Sequence, residues 1–223
     1  MSLTYTTLQT QVHTNYLKRP DLVSITPSLI TMAENEINRR LRPLQMEEIT
    51  SFTLGIGDNT KSLTAISASI DSVIRVWKTV NNVFEEIVYL DPLQFLGQRQ
   101  IAGNPGQPNY YTIQGGSTMY FERTADQAYT IYVHISKKFA LATDTTNWLS
   151  ENHEDAYLFG TLAQAEPYMK NDKRIVVWRT LFEAVLSQIE ESDTGERGNR
   201  NAILIPGVAG LVGIPRPFNI NTG

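Results

Sequence analysis

The hydrophobic period of this chain switches twice, from helical to strand-like and back to helical, and that double switch leaves few folds open to it. Between Thr4 and Leu17, the residues Tyr5, Leu8, Val12 and Tyr16 recur three and four apart, which predicts a first helix that stops at Pro20. Thr26 then reads as an N-cap with Pro27 at the first helical position, and Leu29, Ile30, Ala33, Ile37 and Leu41 form an apolar stripe ending before Pro43. The other face of this helix carries Glu34, Glu36, Arg39, Arg40 and Arg42, with the basic residues late, where the helix dipole favours them.

From Glu48 to about Ile135 the apolar residues fall into short β-type runs: Ile49 to Leu54, Val73 to Val80, Val83 to Leu90, Tyr110 to Ile113, Met119 to Phe121 and Tyr129 to Ile135. In the last run Tyr129, Ile131, Val133 and Ile135 alternate with Thr130, Tyr132 and His134, as in a strand with one buried face. Asn81-Asn82 and Gly115-Gly116 are hairpin-turn signals, so the region should be mainly antiparallel. One short helix interrupts it, capped by Asp91 before Pro92 and stopping near Gly97.

The helical period returns at Asn147. It runs through Leu158, Leu162 and Ala165 to Pro167, which should kink or end the helix. It resumes from Asp172 with Ile175, Trp178, Phe182, Val185 and Ile189, and is expected to run out at Glu190–Asp193, before Gly195. Residues 195–223 are rich in glycine and carry Pro206, Pro215 and Pro217, so neither a helix nor a compact domain is expected there. Ile203, Leu204, Ile205, Leu211, Ile214 and Phe218 nevertheless give that stretch too much apolar surface to remain in water, which predicts an arm that orders on a partner. The reading is an α+β protein: residues 1–46 and 141–194 form an antiparallel helical module, residues 47–140 an inserted, mainly antiparallel β-domain, and residues 195–223 an extended C-terminal docking arm.

Composition excludes several kinds of chemistry. With 41% hydrophobic and 19% charged residues the chain can bury a core, but no stretch approaches the roughly 20 apolar residues of a membrane span. Met1 to Lys18 is too polar for a signal-peptide core, so assembly in the cytoplasm is expected. There is no cysteine, which removes disulfides, thiolate zinc sites and cysteine nucleophiles. The net charge of −4 is spread along the chain and offers no footprint for tight binding to nucleic acid, although a mildly acidic wall suits DNA that must slide past.

The stretch Gly55 to Ser62 carries Lys61-Ser62 at the offset of a phosphate loop, but Thr60 stands where that motif needs glycine and no helix start follows. A plain loop connection explains it better. His13, His134 and His153 are far apart, and His153-Glu154-Asp155 lacks the second histidine of a helical zinc site; a helix start explains the acidic pair. Glu85 and Glu86 are adjacent on a strand and point to opposite faces, so they cannot converge on one sugar. No nucleophile elbow is present. No catalytic residue, metal site or cofactor is therefore expected. Tyr110-Tyr111 and Tyr129/Tyr132 could stack on sugars or bases, though packing a sheet is the more ordinary use of such residues, and Trp148 and Trp178 read as core anchors.

Several strings resemble a known family. The helix Ser28-Leu29-Ile30 through Ala33-Glu34 to Arg39-Arg40-Leu41-Arg42 is similar to the signature helix of the head-to-tail adaptors of tailed phages. The turn Gly106-Gln107-Pro108-Asn109-Tyr110 with Gly115-Gly116 resembles that family's β-hairpin. Asn147-Trp148-Leu149, Asp155-Ala156-Tyr157-Leu158, Glu166-Pro167-Tyr168 and Trp178 look like its paired C-terminal helices. The resemblance implies a structural, non-enzymatic virion protein at the head–tail junction, assembled in the host cytoplasm. It implies a homo-oligomeric ring, commonly of twelve copies, that docks on the portal protein, extends the channel for genome DNA and receives tail nozzle or fibre proteins. At least one of Arg39, Arg40 and Arg42 should reach a neighbouring subunit or the portal, and Ile203, Leu204, Ile205, Pro206, Leu211, Ile214, Pro215 and Phe218 should carry the docking of the arm. The alternative is a tail component that binds fibres or carbohydrate through the β-domain.

Overall fold

The computed structural model describes residues 3–99, 105–169 and 173–202. Helix α1 (Tyr5–Thr10) opens with a reciprocal cap: the Thr4 hydroxyl accepts from Thr7 N at 3.3 Å and Thr4 N donates to the Thr7 hydroxyl at 2.8 Å. It widens into a π-helical stretch, Gln11–Tyr16, and the chain leaves through Lys18 at φ 54.

Helix α2 (Thr26–Arg40) buries Leu29, Ile30, Ala33 and Ile37. The expectation that Thr26 caps it is overturned. Ile25 stands at the cap position, and the buried Thr26 hydroxyl donates backwards to Leu22 O at 2.8 Å. The 3-10 turn Pro20–Leu22 brings the chain in with Ile25 already near helical geometry, and Ile25 O receives the amides of Ser28 and Leu29.

The second helical stretch is divided. Asn147 caps α4 (Trp148–Asn152) by accepting from Ser150 N at 2.9 Å. His153 breaks the run, and α5 (Glu154–Gln164) begins with Glu154 and Asp155 in its first turn, as expected of acidic residues at a helix start. The helix ends before Pro167, and α6 (Arg174–Ala202) follows. The expected stop before Gly195 is overturned, because α6 continues to Ala202 and residues 195–202 are helical rather than part of an extended arm. Local propensity is overridden there by anchors. Leu44 N donates to Asp193 at 2.9 Å, Gln45 to Glu196 at 2.7 Å, and Arg197 reaches Arg42 O at 2.5 Å and Glu47 at 3.3 Å. The rest of the expected arm, residues 203–223, lies outside the described residues.

Helix α5 lies between α2 and α6. Gly160 permits that approach, because a Cβ built there would stand 2.8 Å from the Phe182 ring and 3.3 Å from the Ala33 Cβ. Tyr157, Leu162, Phe182, Leu186 and Trp178 fill the same hydrophobic cluster, so Trp178 is a core anchor and Trp148 packs against its margin.

Two sheets occupy residues 47–137. The first has the order β1–β8–β3–β4, with strands Glu47–Leu54, Tyr129–Lys137, Ile70–Val80 and Val83–Glu86, and is wholly antiparallel. The second has the order β2–β7–β6–β5, with strands Thr60–Ser62, Thr118–Phe121, Tyr110–Gln114 and Val88–Tyr89; its β5–β6 pairing is parallel. Asn81 and Asn82, with φ 50 and 62, turn β3 into β4, and Gly115 and Gly116, with φ 62 and 65, turn β6 into β7. The short helix α3 (Pro92–Gln98) is capped by Asp91, which accepts from Leu93 N at 3.0 Å. Val83 to Leu90 is not the single strand expected. Its Ile87 is buried and bonded to Val76 O, and the next residue donates to Asn109 O in the second sheet, so the chain changes sheets at that point. Ile87, Val76, Leu54, Ile131, Val133 and Ile135 share one buried cluster with Tyr111, Met119 and Phe121 of the second sheet.

Gly160→Val would force its branched side chain against Phe182 and Ala33. We expect a loss of about 1–3 kcal/mol in urea unfolding, relieved in part by Phe182→Leu in the same chain.

Candidate interaction surfaces

The residues singled out for chemistry are placed as structure. Gly55 to Asn59 connect β1 to β2, with Gly57 at φ 86, and Lys61 lies over the Phe52 ring at 5.2 Å, so nothing there forms a phosphate cradle. Glu85 sits opposite Lys78 and Glu86 opposite Trp77, on the two faces of the sheet. Among the described residues no group of three or more potential ligands is placed to hold a metal ion. Tyr111 and Tyr129 are core residues, and the Tyr129 hydroxyl donates to Asp126 at 2.7 Å, so neither is available as a stacking platform. Among the described residues no helix is long and apolar enough to cross a membrane.

Three buried charges were not anticipated. Lys78 is 1% exposed, and its ammonium donates to Pro108 O at 2.7 Å and Asn109 Oδ1 at 2.6 Å, with Glu85 at 3.4 Å. Burial pushes its pKa down. Buried Glu122 accepts from Asn109 N at 2.9 Å and Tyr110 N at 3.0 Å, so the two side chains pin the turn before β6 from both sides. Glu34 on α2 accepts from Leu141 N at 2.6 Å beside the Tyr157 hydroxyl, which receives a hydrogen bond from Asn147 at 2.8 Å. Burial pushes the Glu34 carboxyl above the usual range. These partners lie 31, 13 and 107 residues away in sequence, which no local pattern signals.

The three arginines have different fates. Arg40 is committed within the chain: it contacts Glu183 and donates to Glu190 at 3.1 Å, joining α2 to α6. Arg179 extends the ladder, to Glu36 at 2.6 Å and Glu183 at 3.2 Å. Arg42 lies beyond the helix end, 3.2 Å from Asp71, with its side chain 64% exposed. Arg39 is exposed and forms no ion pair among the described residues. Arg40, Arg42, Glu47, Ile74, Glu190 and Arg197 line a cleft of about 480 Å³ where α2, α6 and the first sheet meet.

The outer face of the first sheet carries aromatic residues. Phe84 meets Tyr132 edge-on at 5.1 Å, and Trp77 stacks with His134 at 6.5 Å. Strand register puts Ile49, Ser51 and Thr53 of β1 on this same face, opposite His134, Tyr132 and Thr130. Ile49 and Phe84, at opposite edges of the sheet, are 61% and 62% exposed. Leu93 and Leu96 on α3, and Val176 and Val177 on α6, are further exposed apolar residues. Such faces suit contact with other proteins rather than small-molecule chemistry.

Glu34 makes stability depend on pH. Its folded pKa is raised, so its favourable contribution is complete below the ordinary carboxylate value and is lost as pH rises through the folded one. Glu34→Gln keeps an acceptor for Leu141 N but cannot ionise. Its stability relative to the parent chain is expected to increase as pH rises from about 4.5, as read from urea midpoints at a series of pH values.

A family model described as SU10 adaptor protein matches residues 3–204, which takes in every element described above. A search of curated proteins finds no match to the chain. The matched stretch spans α1, both sheets and the whole of α6, and the chain therefore belongs to the SU10 adaptor protein family, a family of phage head-to-tail adaptors.

Proposed function

We propose that the chain is a non-enzymatic ring subunit that docks beneath the portal protein, extends the channel for genome DNA and receives tail nozzle or fibre proteins. The observation that carries this reading is the adaptor-family match over residues 3–204. A phage adaptor is a structural component of the virion and contacts other head and tail components. Twelve copies at the head–tail junction, assembled in the host cytoplasm, is the arrangement that the family resemblance implies. The net charge of −4 is compatible with a wall past which DNA moves without sequence-specific contact.

Within this reading, residues 1–46 and 141–194, with the rest of α6 to Ala202, act as one helical module and residues 47–140 as its inserted β-domain. Two separate buried clusters support that division. With Arg40 occupied by Glu183 and Glu190 and Arg42 paired with Asp71, Arg39 is the cation of that helix end left for a carboxylate on a neighbour or on the portal. Arg39→Ala should weaken portal binding while leaving the unfolding midpoint unchanged. A co-sedimentation constant equal to that of the parent chain would sink the role given to Arg39.

The segment from Ile203 to Phe218 is the docking arm in this proposal, through Ile203, Leu204, Ile205, Pro206, Leu211, Ile214, Pro215 and Phe218. Burying three of its large apolar side chains at about 1.5–3 kcal/mol each gives several kcal/mol before the cost of ordering the chain. Removing residues 203–223 should leave the subunit folded and weaken its attachment to portal rings by about a hundredfold, equivalent to about 2.7 kcal/mol. Co-sedimentation of the intact and shortened chains with portal rings tests this. Equal binding would overturn the arm, and no binding by either chain would overturn the adaptor position.

A further inference from the structure

The first sheet ends in two open edges. Among the described residues, β1 and β4 each pair on one side only, with β8 and with β3. Open edges invite pairing unless charge, proline or a bulge blocks them. β1 carries its charge only at Glu47 and Glu48, and Ile49 to Leu54 contains neither charge nor proline. All four residues of β4 are exposed, and its charge lies in Glu85 and Glu86, which leaves Val83 and Phe84 as its uncharged half. Of the apolar side chains left exposed at the two edges, Ile49 and Phe84 lie on the outer face and Val83 on the other.

Strand direction adds a second constraint. β1–β8, β8–β3 and β3–β4 are all antiparallel, so β1 and β4 run antiparallel to each other across the sheet. A copy displaced sideways in the plane of the sheet therefore brings its β1 against β4 of its neighbour in antiparallel sense, and the alternation of strands continues without a break. The contact joins different surfaces of the two copies; repeated, such a contact gives a ring where its rotation closes and an open filament where it does not.

We propose that this chain self-associates head to tail through these edges, β4 of one copy pairing with β1 of the next to form one continuous antiparallel sheet. The inference rests on the ring reading above and names the surface that would build it. Side-chain parity, charge and the cover of Ile49 together select the register. Phe84 opposite Ile49 would put Glu86 opposite Glu47, a like-charge pair that is unfavourable across strands. Moving by two residues puts Phe84 opposite Ser51, Glu86 opposite Ile49 and Val83 opposite Phe52, which keeps outer residues facing outer residues. Phe84 then also covers Ile49 diagonally, and the aromatic row of Phe84 and Tyr132 continues from one copy to the next.

The chain contains no cysteine, so introduced thiols report without background. In the full chain, Ser51→Cys combined with Phe84→Cys, bridged by a short bis-maleimide, should give a ladder of covalent multimers on a denaturing gel. Either substitution alone should give no cross-link, and a mixture of the two single variants should give dimers only. Val83→Lys, at an exposed position, should weaken self-association by about tenfold or more and leave the melting temperature of the separated subunit unchanged. Dimers formed by either single-cysteine variant would mean like meeting like and would overturn the head-to-tail edge. Rings seen in sedimentation without 51–84 cross-links, or rings unaffected by Val83→Lys, would overturn the edge pairing while leaving the ring reading in place. A parent chain that stays monomeric with portal rings present would overturn both.

Discussion

The arrangement depends on how α2 holds the point where the chain returns from its strands. Asn38 donates to Phe139 O at 2.9 Å and accepts from Phe139 N at 2.8 Å, and one turn earlier Glu34 accepts from Leu141 N. Two side chains of one helix thus satisfy backbone groups of Phe139 and Leu141 that would otherwise lack these partners. The outgoing strand begins at Glu47, directly opposite Ser136 near the end of the returning strand. Departure and return therefore lie side by side, and nearly ninety residues can fold between them without disturbing the helical core.

Around that base, charge is used as a fastener with little left over. The ladder from Glu36 through Arg179, Glu183 and Arg40 to Glu190 stitches α2 along α6, and Asp193, Glu196 and Arg197 carry the same helix past the connecting segment to the first strand. Pairs this exposed contribute little individually and count mainly as members of such a network. Lys78 does similar work in the dry interior of the β-part, where its charge is tolerated because carbonyl and carboxylate oxygens surround it.

Features set by neighbouring residues were readable from the chain alone. Asn81-Asn82, Gly115-Gly116 and Asp91-Pro92 each act within three residues and appear where local chemistry places them. The alternation of Tyr129 to Ile135 likewise gave the central strand its buried face. Features decided by distant partners were not readable. Thr26 looks like a cap until the preceding turn delivers the chain already helical. Gly195 looks like a stop until Arg197 finds Arg42 and Glu47 more than 140 residues back. Val83 to Leu90 looks like one strand because nothing local says that Asn109 captures the amide after Ile87. The same limit applies to the surfaces: three arginines in four residues were visible, but which of them is spent inside the chain depends on Glu183 and Glu190.

The side-by-side departure of β1 and β8 also governs how the molecule carries mechanical load. A force that tilts the β-part away from the helices pulls on the hydrogen bonds nearest Glu47 and Ser136 first, and such bonds peel one pair at a time. A force along the strands loads the whole eight-residue ladder in shear, which resists far more strongly. Arg197, reaching from α6 to Glu47 and to Arg42 O, braces the weak direction at its root. The joint is therefore stiff along the strands and compliant to tilting, like a leaf spring with a single strut.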